Sequence, residues 1–116
     1  MAMYILGRII FGAYFAFSGF NHFKNEKMLT GYAKSKGVPS PRLAVLLSGA
    51  LMILGGLGFI FNVYLPESVI LLIIFLVPTT FMMHAFWKIS DPMHRMNDQV
   101  NFMKNLALIG VLLMML

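Results

Sequence analysis

Long apolar runs dominate this sequence and constrain its fold more than any other feature. Residues 3–20, 43–65 and 68–87 contain one charged side chain between them, Arg8, and a further apolar run covers residues 99–116. Each run has about 18 to 23 residues, or roughly 27–35 Å of α-helix, enough to cross a hydrocarbon core of about 30 Å. The sequence therefore predicts an all-α fold, a transmembrane four-helix bundle with up-down-up-down topology.

The composition favours lipid over water as the solvent of these helices. Only 11% of the 116 residues are charged, whereas soluble domains carry about 25%. A soluble domain of this size could not bury so much apolar surface. We predict a single membrane domain over residues 1–116, with helices at about 3–23, 42–64, 66–88 and 99–116.

Several kinds of chemistry are excluded or disfavoured by the residue types present. The chain has no cysteine, which excludes disulfides, thiolate catalysis and iron–sulfur clusters. Its lysines and arginines lie between apolar runs and form no stripe, so no nucleic-acid partner is predicted. The spacing of Met93 and Met96 is too loose to predict a copper site. Haem between His22 and His84 is a further alternative, but no metal site is predicted.

The segment at residues 24–37 is more polar than its neighbours and follows the first apolar run. Apolar residues recur in it at helical spacing: Met28, Leu29, Tyr32 and Ala33. Lysines surround them, and Gly37 stands where a C-terminal cap belongs. We predict a short amphipathic helix at the membrane interface; an irregular basic loop is the alternative.

The distribution of positive charge predicts the orientation of the chain. Loops one and three carry most of the basic residues: Lys24, Lys27, Lys34, Lys36, Arg42, Lys88 and Arg95. The positive-inside rule therefore places these loops in the cytoplasm and both termini outside, in the cell membrane. The inverted topology is the alternative.

Small residues suggest where the helices meet. Gly12 and Ala16 are four residues apart on the first helix, and Gly49 and Gly56 are seven apart on the second. Such spacing lets backbones approach closely in a membrane, where packing drives helix association.

Prolines and hydroxyls indicate how the second and third helices begin and bend. Ser40 is predicted to cap the second helix, with Pro41 at its first position. Pro78 removes a backbone hydrogen bond from the third helix and predicts a kink, where Thr79 or Thr80 is expected to bond the freed carbonyl.

The few polar groups gather at one depth of the predicted bundle. The first and third helices end, and the fourth begins, on the cytoplasmic side. The side chains concerned are Ser18, Asn21 and His22; Thr80, His84 and Trp87; and Asn101, Lys104 and Asn105. Within each helix their spacing of three or four residues defines one face. We predict a shared pocket there, with aromatic walls from Phe15, Phe86, Trp87 and Phe102. For Trp87 and Lys104, anchoring at the interface is the alternative; for His22 and His84, it is a histidine that is satisfied at the interface and binds no ligand.

Arg8 is a separate candidate because it lies inside the first apolar run. A charged side chain in a bilayer is costly unless it is partnered. We predict that Arg8 faces inward and finds a partner, with Glu67 as one possibility at the same end of the bundle.

These motifs together resemble the DoxX family of small four-helix membrane proteins over nearly the whole chain. The first helix carries "LGRIIFGAYFAFSGFNHF", the polar segment carries "GYAKSKGVPSP", and "HAFW" and "NFMKNLALIG" follow in the later helices. The resemblance assigns functional interest to the following residues: Arg8, Ser18, Asn21, His84, Trp87, Phe102, Lys104 and Asn105. Two positions depart from the family pattern, since His22 replaces a usual lysine and Met52 a frequent glutamate.

The resemblance implies an association with redox chemistry at the membrane, including a relative in a thiosulfate:quinone oxidoreductase. No thiol, cofactor motif or acid pair in the chain would carry electrons itself. We therefore predict an auxiliary subunit of a membrane redox system, with a pocket for a lipophilic ligand such as a quinone. Its partners would be the lipid bilayer and a redox protein or a second copy of the chain. The alternative is a membrane assembly factor or structural protein without a small ligand; a pore is poorly supported.

Overall fold

The fold is all-helical, as predicted. The computed structural model describes residues 1–116 and contains five α-helices and no strand. The α-helices are α1 (Ala2–Lys24), α2 (Glu26–Ser35), α3 (Pro41–Phe61), α4 (Leu65–Met83) and α5 (Pro92–Met114), and a 3-10 turn (Phe86–Lys88) lies between α4 and α5.

Three stretches are long and apolar enough to cross a membrane, namely Ala2–Lys24, Pro41–Phe61 and Leu65–Lys88. The helix α5 has the length of a span, but its first half is polar and it is not among the three. The fourth predicted span, 99–116, stays a prediction.

The surface of the helices is apolar, as a lipid solvent requires. Only 22 of the 116 residues are buried, and many large apolar side chains point outward. Phe17, Phe61 and Ile10 are examples, each at least 60% exposed. In water such a surface would drive aggregation, whereas acyl chains solvate it at no cost.

Glycines bring α1 and α3 into backbone contact. A Cβ atom on Gly12 would lie 2.5 Å from the carbonyl oxygen of Gly56, and one on Gly19 would lie 2.6 Å from that of Gly49. The residue numbers rise along α1 as they fall along α3, so the two helices are antiparallel. The predicted contact through small residues is confirmed.

The other helices pack in succession onto this pair. Helix α4 packs on α3, with Leu72 against Gly55, and α5 packs on α4. The buried core lies between these helices and consists of Phe15, Met52, Phe59, Val69, Leu72, Phe75, Leu76, Ile109 and Leu112.

The segment after α1 forms the helix α2, and Gly37 ends it as predicted. Gly37 has φ +78°, a backbone conformation that suits glycine. The N–H of Val38 donates to the carbonyl of Ala33, and that of Gly37 to the carbonyl of Lys34. This is the Schellman pattern of helix termination. The irregular-loop alternative is therefore wrong.

Two predicted hydrogen bonds at helix ends and kinks are absent. Ser40 occupies the N-cap position before Pro41, but its φ of +45° is left-handed and its hydroxyl makes no capping bond. Pro78 lies inside α4, but the hydroxyl of Thr80 is buried with no partner and that of Thr79 makes no hydrogen bond, so neither threonine satisfies the freed carbonyl.

Two boundaries also differ from the sequence prediction. Helix α4 ends at Met83, not near residue 88, and His84 to Ala85 form a break before the 3-10 turn. Helix α5 begins at Pro92, seven residues before the predicted start at 99. Asp91 caps it by accepting a hydrogen bond from the backbone N–H of His94, at 3.1 Å, and Pro92 occupies the first turn.

Arg8 is partnered, but not by Glu67. Its Nε donates to the carbonyl oxygen of Phe59 at 2.7 Å, and its guanidinium lies 5.5 Å from the Tyr4 ring centroid. Phe59 is in the last turn of α3, where carbonyls lack partners within the helix. Arg8 therefore acts as a C-terminal cap of α3, and its charge complements the helix dipole.

We expect Gly12→Ala to lower the free energy of unfolding by about 1–3 kcal/mol, because backbone on the opposite helix leaves no room for a methyl group. Chemical unfolding in detergent micelles measures this. Gly110→Ala is the matched control, since a Cβ atom there meets nothing within 4 Å and alanine favours the helix. Equal stability of the two variants would contradict the proposed packing role.

We expect Arg8→Met to lower the free energy of unfolding by about 1–2 kcal/mol, because the charged hydrogen bond to α3 is lost. The same unfolding assay applies, without added ligand. Arg95→Met removes an exposed arginine of α5 and should have little effect. A variant at Arg8 as stable as the parent chain would argue against the capping role.

Candidate functional site

A cavity of about 530 Å³ lies among the helices and is the candidate site. All five α-helices contribute to its wall, and 17 of its 25 lining residues are hydrophobic. A ligand site of this size and character accommodates a drug-sized apolar molecule with a few polar groups.

Six of the predicted site residues line this cavity. They come from α1, from α5 and from the residue that follows α4: Phe15, Ser18, His22, His84, Lys104 and Asn105. Phe15 is 1% exposed and also belongs to the core. The predicted convergence of polar groups from the first, third and fourth apolar runs is thus present at these positions.

His22 is held in place by α3. Its Nδ1 lies 3.0 Å from the hydroxyl of Ser48 and 3.1 Å from the carbonyl oxygen of Val45. Its ring meets that of Phe75 edge to face at 6.1 Å between centroids. These contacts fix the orientation of the imidazole in the cavity wall.

Lys104 joins α5 to α1 across the cavity. Its Nζ donates to the hydroxyl of Tyr14 at 3.1 Å and lies 5.7 Å from the Tyr14 ring centroid. The ammonium has three donors, so two are left for water or a ligand. Asn105, the next residue, is buried.

His84 connects the cavity to a polar network formed by α2 and α5. Its Nδ1 lies 3.5 Å from Oδ1 of Asp98, and Oδ2 of Asp98 accepts a hydrogen bond from Lys36 at 2.6 Å. Lys36 is the C-cap residue of α2. The network therefore ties three segments that are distant in sequence.

The charge of Asp98 is stabilised by these neighbours. Burial alone would raise the pKa of Asp98, but hydrogen bonds and positive charge from Lys36 and His84 hold its pKa below the ordinary value. Asp98 is therefore a carboxylate at neutral pH, although the residue is only 5% exposed.

A second cavity, of about 600 Å³, lies beside the first. Tyr32 and Met82 line both. The second cavity is lined mainly by polar residues, among them Lys36, Asp98 and Asn101. The His84–Asp98 contact therefore runs from the apolar cavity to the polar one.

The other six predicted site residues lie away from the apolar cavity. Arg8 caps α3, and Asn21 is exposed and bonds the side chain of Asn25. Asn101 lines the second cavity, and Thr80 is fully buried in the core region.

Trp87 and Phe102 are the remaining two, and they belong to a separate aromatic cluster. Edge-to-face contacts join Phe81, Phe86, Trp87 and Phe102 at 5.4–5.6 Å between centroids. The end of α4 at Met83 explains this separation, because Thr80, His84 and Trp87 do not share one helical face. Of the predicted aromatic walls, only Phe15 lines the cavity.

Met52 lies in the cavity wall and is 4% exposed. Its side chain therefore supplies apolar surface to the site. No group of three His, Asp or Glu side chains is arranged to hold a metal ion.

Sequence reasoning missed Asp98 and Lys36. Asp98 precedes Asn101 by three residues and Asn105 by seven, so extending the polar face of the last helix by one turn would have included it. Lys36 gave no comparable signal, since its contact with Asp98 depends on how α2 folds back.

Comparison with known families supports the resemblance noted from the sequence motifs. The DoxX family model matches residues 3–85, which include α1 to α4 and His84. Comparisons with curated proteins and with solved structures give no match.

The matched region covers more than half of the chain and contains three apolar helices long enough to cross a membrane. Members of this family are membrane proteins, often associated with redox systems. The chain belongs to the DoxX family.

Proposed function

We propose that this protein is an auxiliary subunit of a membrane redox system and that its main cavity binds a lipophilic ring compound such as a quinone. The observation that carries the proposal is an apolar cavity of about 530 Å³ with His22, His84, Lys104 and Asn105 in its wall. A partner protein supplies the redox centre in this proposal.

The chemistry of the cavity suits a quinone-type ligand. Phe15, Met52 and Phe75 provide apolar surface for a ring and an alkyl tail. Lys104 and Asn105 offer donors for oxygen atoms on the ring. Such a combination of apolar walls and few polar groups is typical of small-molecule sites.

We also propose that α1, α3, α4 and α5 form an up-down-up-down bundle in the cytoplasmic membrane. Helix α2 lies at the membrane–water interface in this proposal. The antiparallel contact of α1 with α3 supports this arrangement. The basic residues around α2 and the 3-10 turn favour a cytoplasmic position for loops one and three, with both termini outside.

A structural or assembly role without a small ligand is the second candidate. This candidate is favoured by polar groups that already have hydrogen-bond partners within the chain. Arg8 is hydrogen-bonded to α3, and His22 is hydrogen-bonded to Ser48 and Val45. Hydrogen bonds between membrane helices contribute about 0.6 kcal/mol each. In that case the cavity residues would affect stability alone.

We expect the purified protein in lipid nanodiscs to bind decylubiquinone, a short-chain quinone. The substitution Lys104→Met should weaken this binding about three- to tenfold, because a hydrogen-bond donor to a ring oxygen is lost. Equilibrium titration against empty nanodiscs measures the affinity. Lys24→Met removes a lysine outside the cavity wall and is the matched control.

Filling the cavity provides an independent check. Ala44 is in the wall, so Ala44→Phe should abolish binding by occupying the space of the ring. Absence of binding by the parent chain, with variants at Lys104 altering stability only, would favour the structural role instead.

The orientation is testable because the chain contains no cysteine. We expect Val63→Cys, in the exposed turn between α3 and α4, to react with a membrane-impermeant maleimide on intact cells. Ser35→Cys, at the end of α2, should react only after permeabilisation. The reverse pattern would establish the inverted topology.

A further inference from the structure

Of the two histidines that line the apolar cavity, only His84 faces an acidic group. Its Nδ1 lies 3.5 Å from Oδ1 of Asp98, whereas Nδ1 of His22 faces a hydroxyl and a carbonyl. The Asp98 side chain is only 8% exposed and is held by Lys36 at 2.6 Å. The carboxylate is therefore a fixed negative charge beside the imidazole.

This neighbour determines which nitrogen of His84 carries the proton. An ionised carboxylate accepts hydrogen bonds and cannot donate them. The nitrogen that faces Asp98 therefore carries the proton. In a neutral imidazole the other nitrogen is then a hydrogen-bond acceptor.

The acceptor nitrogen, Nε2, has no hydrogen-bond partner within the chain. His84 lines the apolar cavity. The two ring nitrogens point in different directions, so Nε2 is free for a ligand while Nδ1 faces Asp98. A ligand there must donate a hydrogen bond to match Nε2.

We propose that the cavity selects a lipophilic compound with a ring hydroxyl, a phenol or hydroquinone, and that Asp98 sets this preference by fixing the tautomer of His84. A hydroxyl can donate to Nε2 of His84 and accept from the free donors of Lys104. A quinone carbonyl has only lone pairs and would face the lone pair of Nε2. In a quinone–hydroquinone pair, the cavity thus holds the reduced member more tightly.

This inference rests on the proposed lipophilic-ligand cavity and specifies its ligand class. Asp98 does not need to touch the ligand in this scheme and acts as a positioning residue through His84. A positioning role for Asp98 differs from a purely structural link between α2 and α5. In the positioning role, replacing Asp98 changes which ligand the cavity prefers and which nitrogen of His84 carries the proton.

The test uses two probes that differ in one hydrogen-bond donor, 4-octylphenol and its methyl ether 4-octylanisole, with the full chain in lipid nanodiscs at pH 8. Both oxygens can accept from Lys104, and only the phenol can donate to Nε2 of His84. Titration calorimetry, corrected with empty nanodiscs, gives both affinities. We expect the phenol to bind about three- to tenfold more tightly, the effect of one hydrogen bond. Nitrogen-15 NMR of labelled histidine should show His84 with its proton on Nδ1.

Asp98→Asn should remove the preference. Lys36 would continue to bond the amide oxygen, which turns the amide N–H₂ towards His84 and moves the imidazole proton to Nε2. We expect the affinities of the two probes to differ by less than about twofold and the NMR signature to change to the other tautomer. Asp91→Asn is the matched control, because Asp91 faces His94 at 3.0 Å on the exposed end of α5.

The outcomes separate this inference from the function on which it rests. Equal binding of both probes by the parent chain would overturn the tautomer preference and leave the lipophilic cavity intact. Failure of both probes to bind would overturn both. A preference that persists in Asp98→Asn would overturn the role of Asp98. If that variant does not fold, a His84 proton on Nε2 in the parent chain overturns the inference, and one on Nδ1 supports it.

Discussion

Close approach of the α1 and α3 backbones is the contact on which the other packing depends. At Gly12 and Gly56 the two helices meet without intervening side chains. In a bilayer, lipid solvates apolar side chains as well as protein does, so dense packing of backbones is what favours association. The pair then offers a surface, with Phe15 and Phe59 in the core, on which α4 packs, and α5 packs on α4 in turn.

The cavity is bounded by side chains from all five α-helices. Helix α1 reaches α5 through the Lys104–Tyr14 hydrogen bond, while α2 covers one end and is tied to α5 by Lys36 and Asp98. A second tie, between Arg42 and Glu26 at 2.6 Å, joins α2 to the start of α3. The wall of the cavity therefore depends on a short polar helix held at both ends, rather than on apolar packing alone.

The apolar runs predicted the helices well because hydrophobic length is a property of the sequence itself, and the glycine spacing predicted their contact. The end of α4 was harder, since residues 84–88 continue an apolar pattern and nothing local signals the break. Its consequence is large: His84 reaches the cavity, whereas Trp87 joins a different cluster. Arg8 was expected to be partnered, but its partner is a backbone carbonyl, a group with no sequence signature. The Lys36–Asp98 pair depends on the path of α2, which residue spacing does not fix.

The bond from Arg8 to the last turn of α3 lies at one end of the α1–α3 pair, and the Gly19–Gly49 contact lies towards the other. Sliding either helix by one turn would break both at once. The vertical register of these helices is therefore fixed, and the hydrophobic thickness that the pair presents is fixed with it. In a thinner bilayer the pair would adapt by tilting together or by deforming the surrounding lipid, not by shifting one helix past the other. Membrane thickness would thus act on the tilt of the α1–α3 pair and not on the register between these two helices.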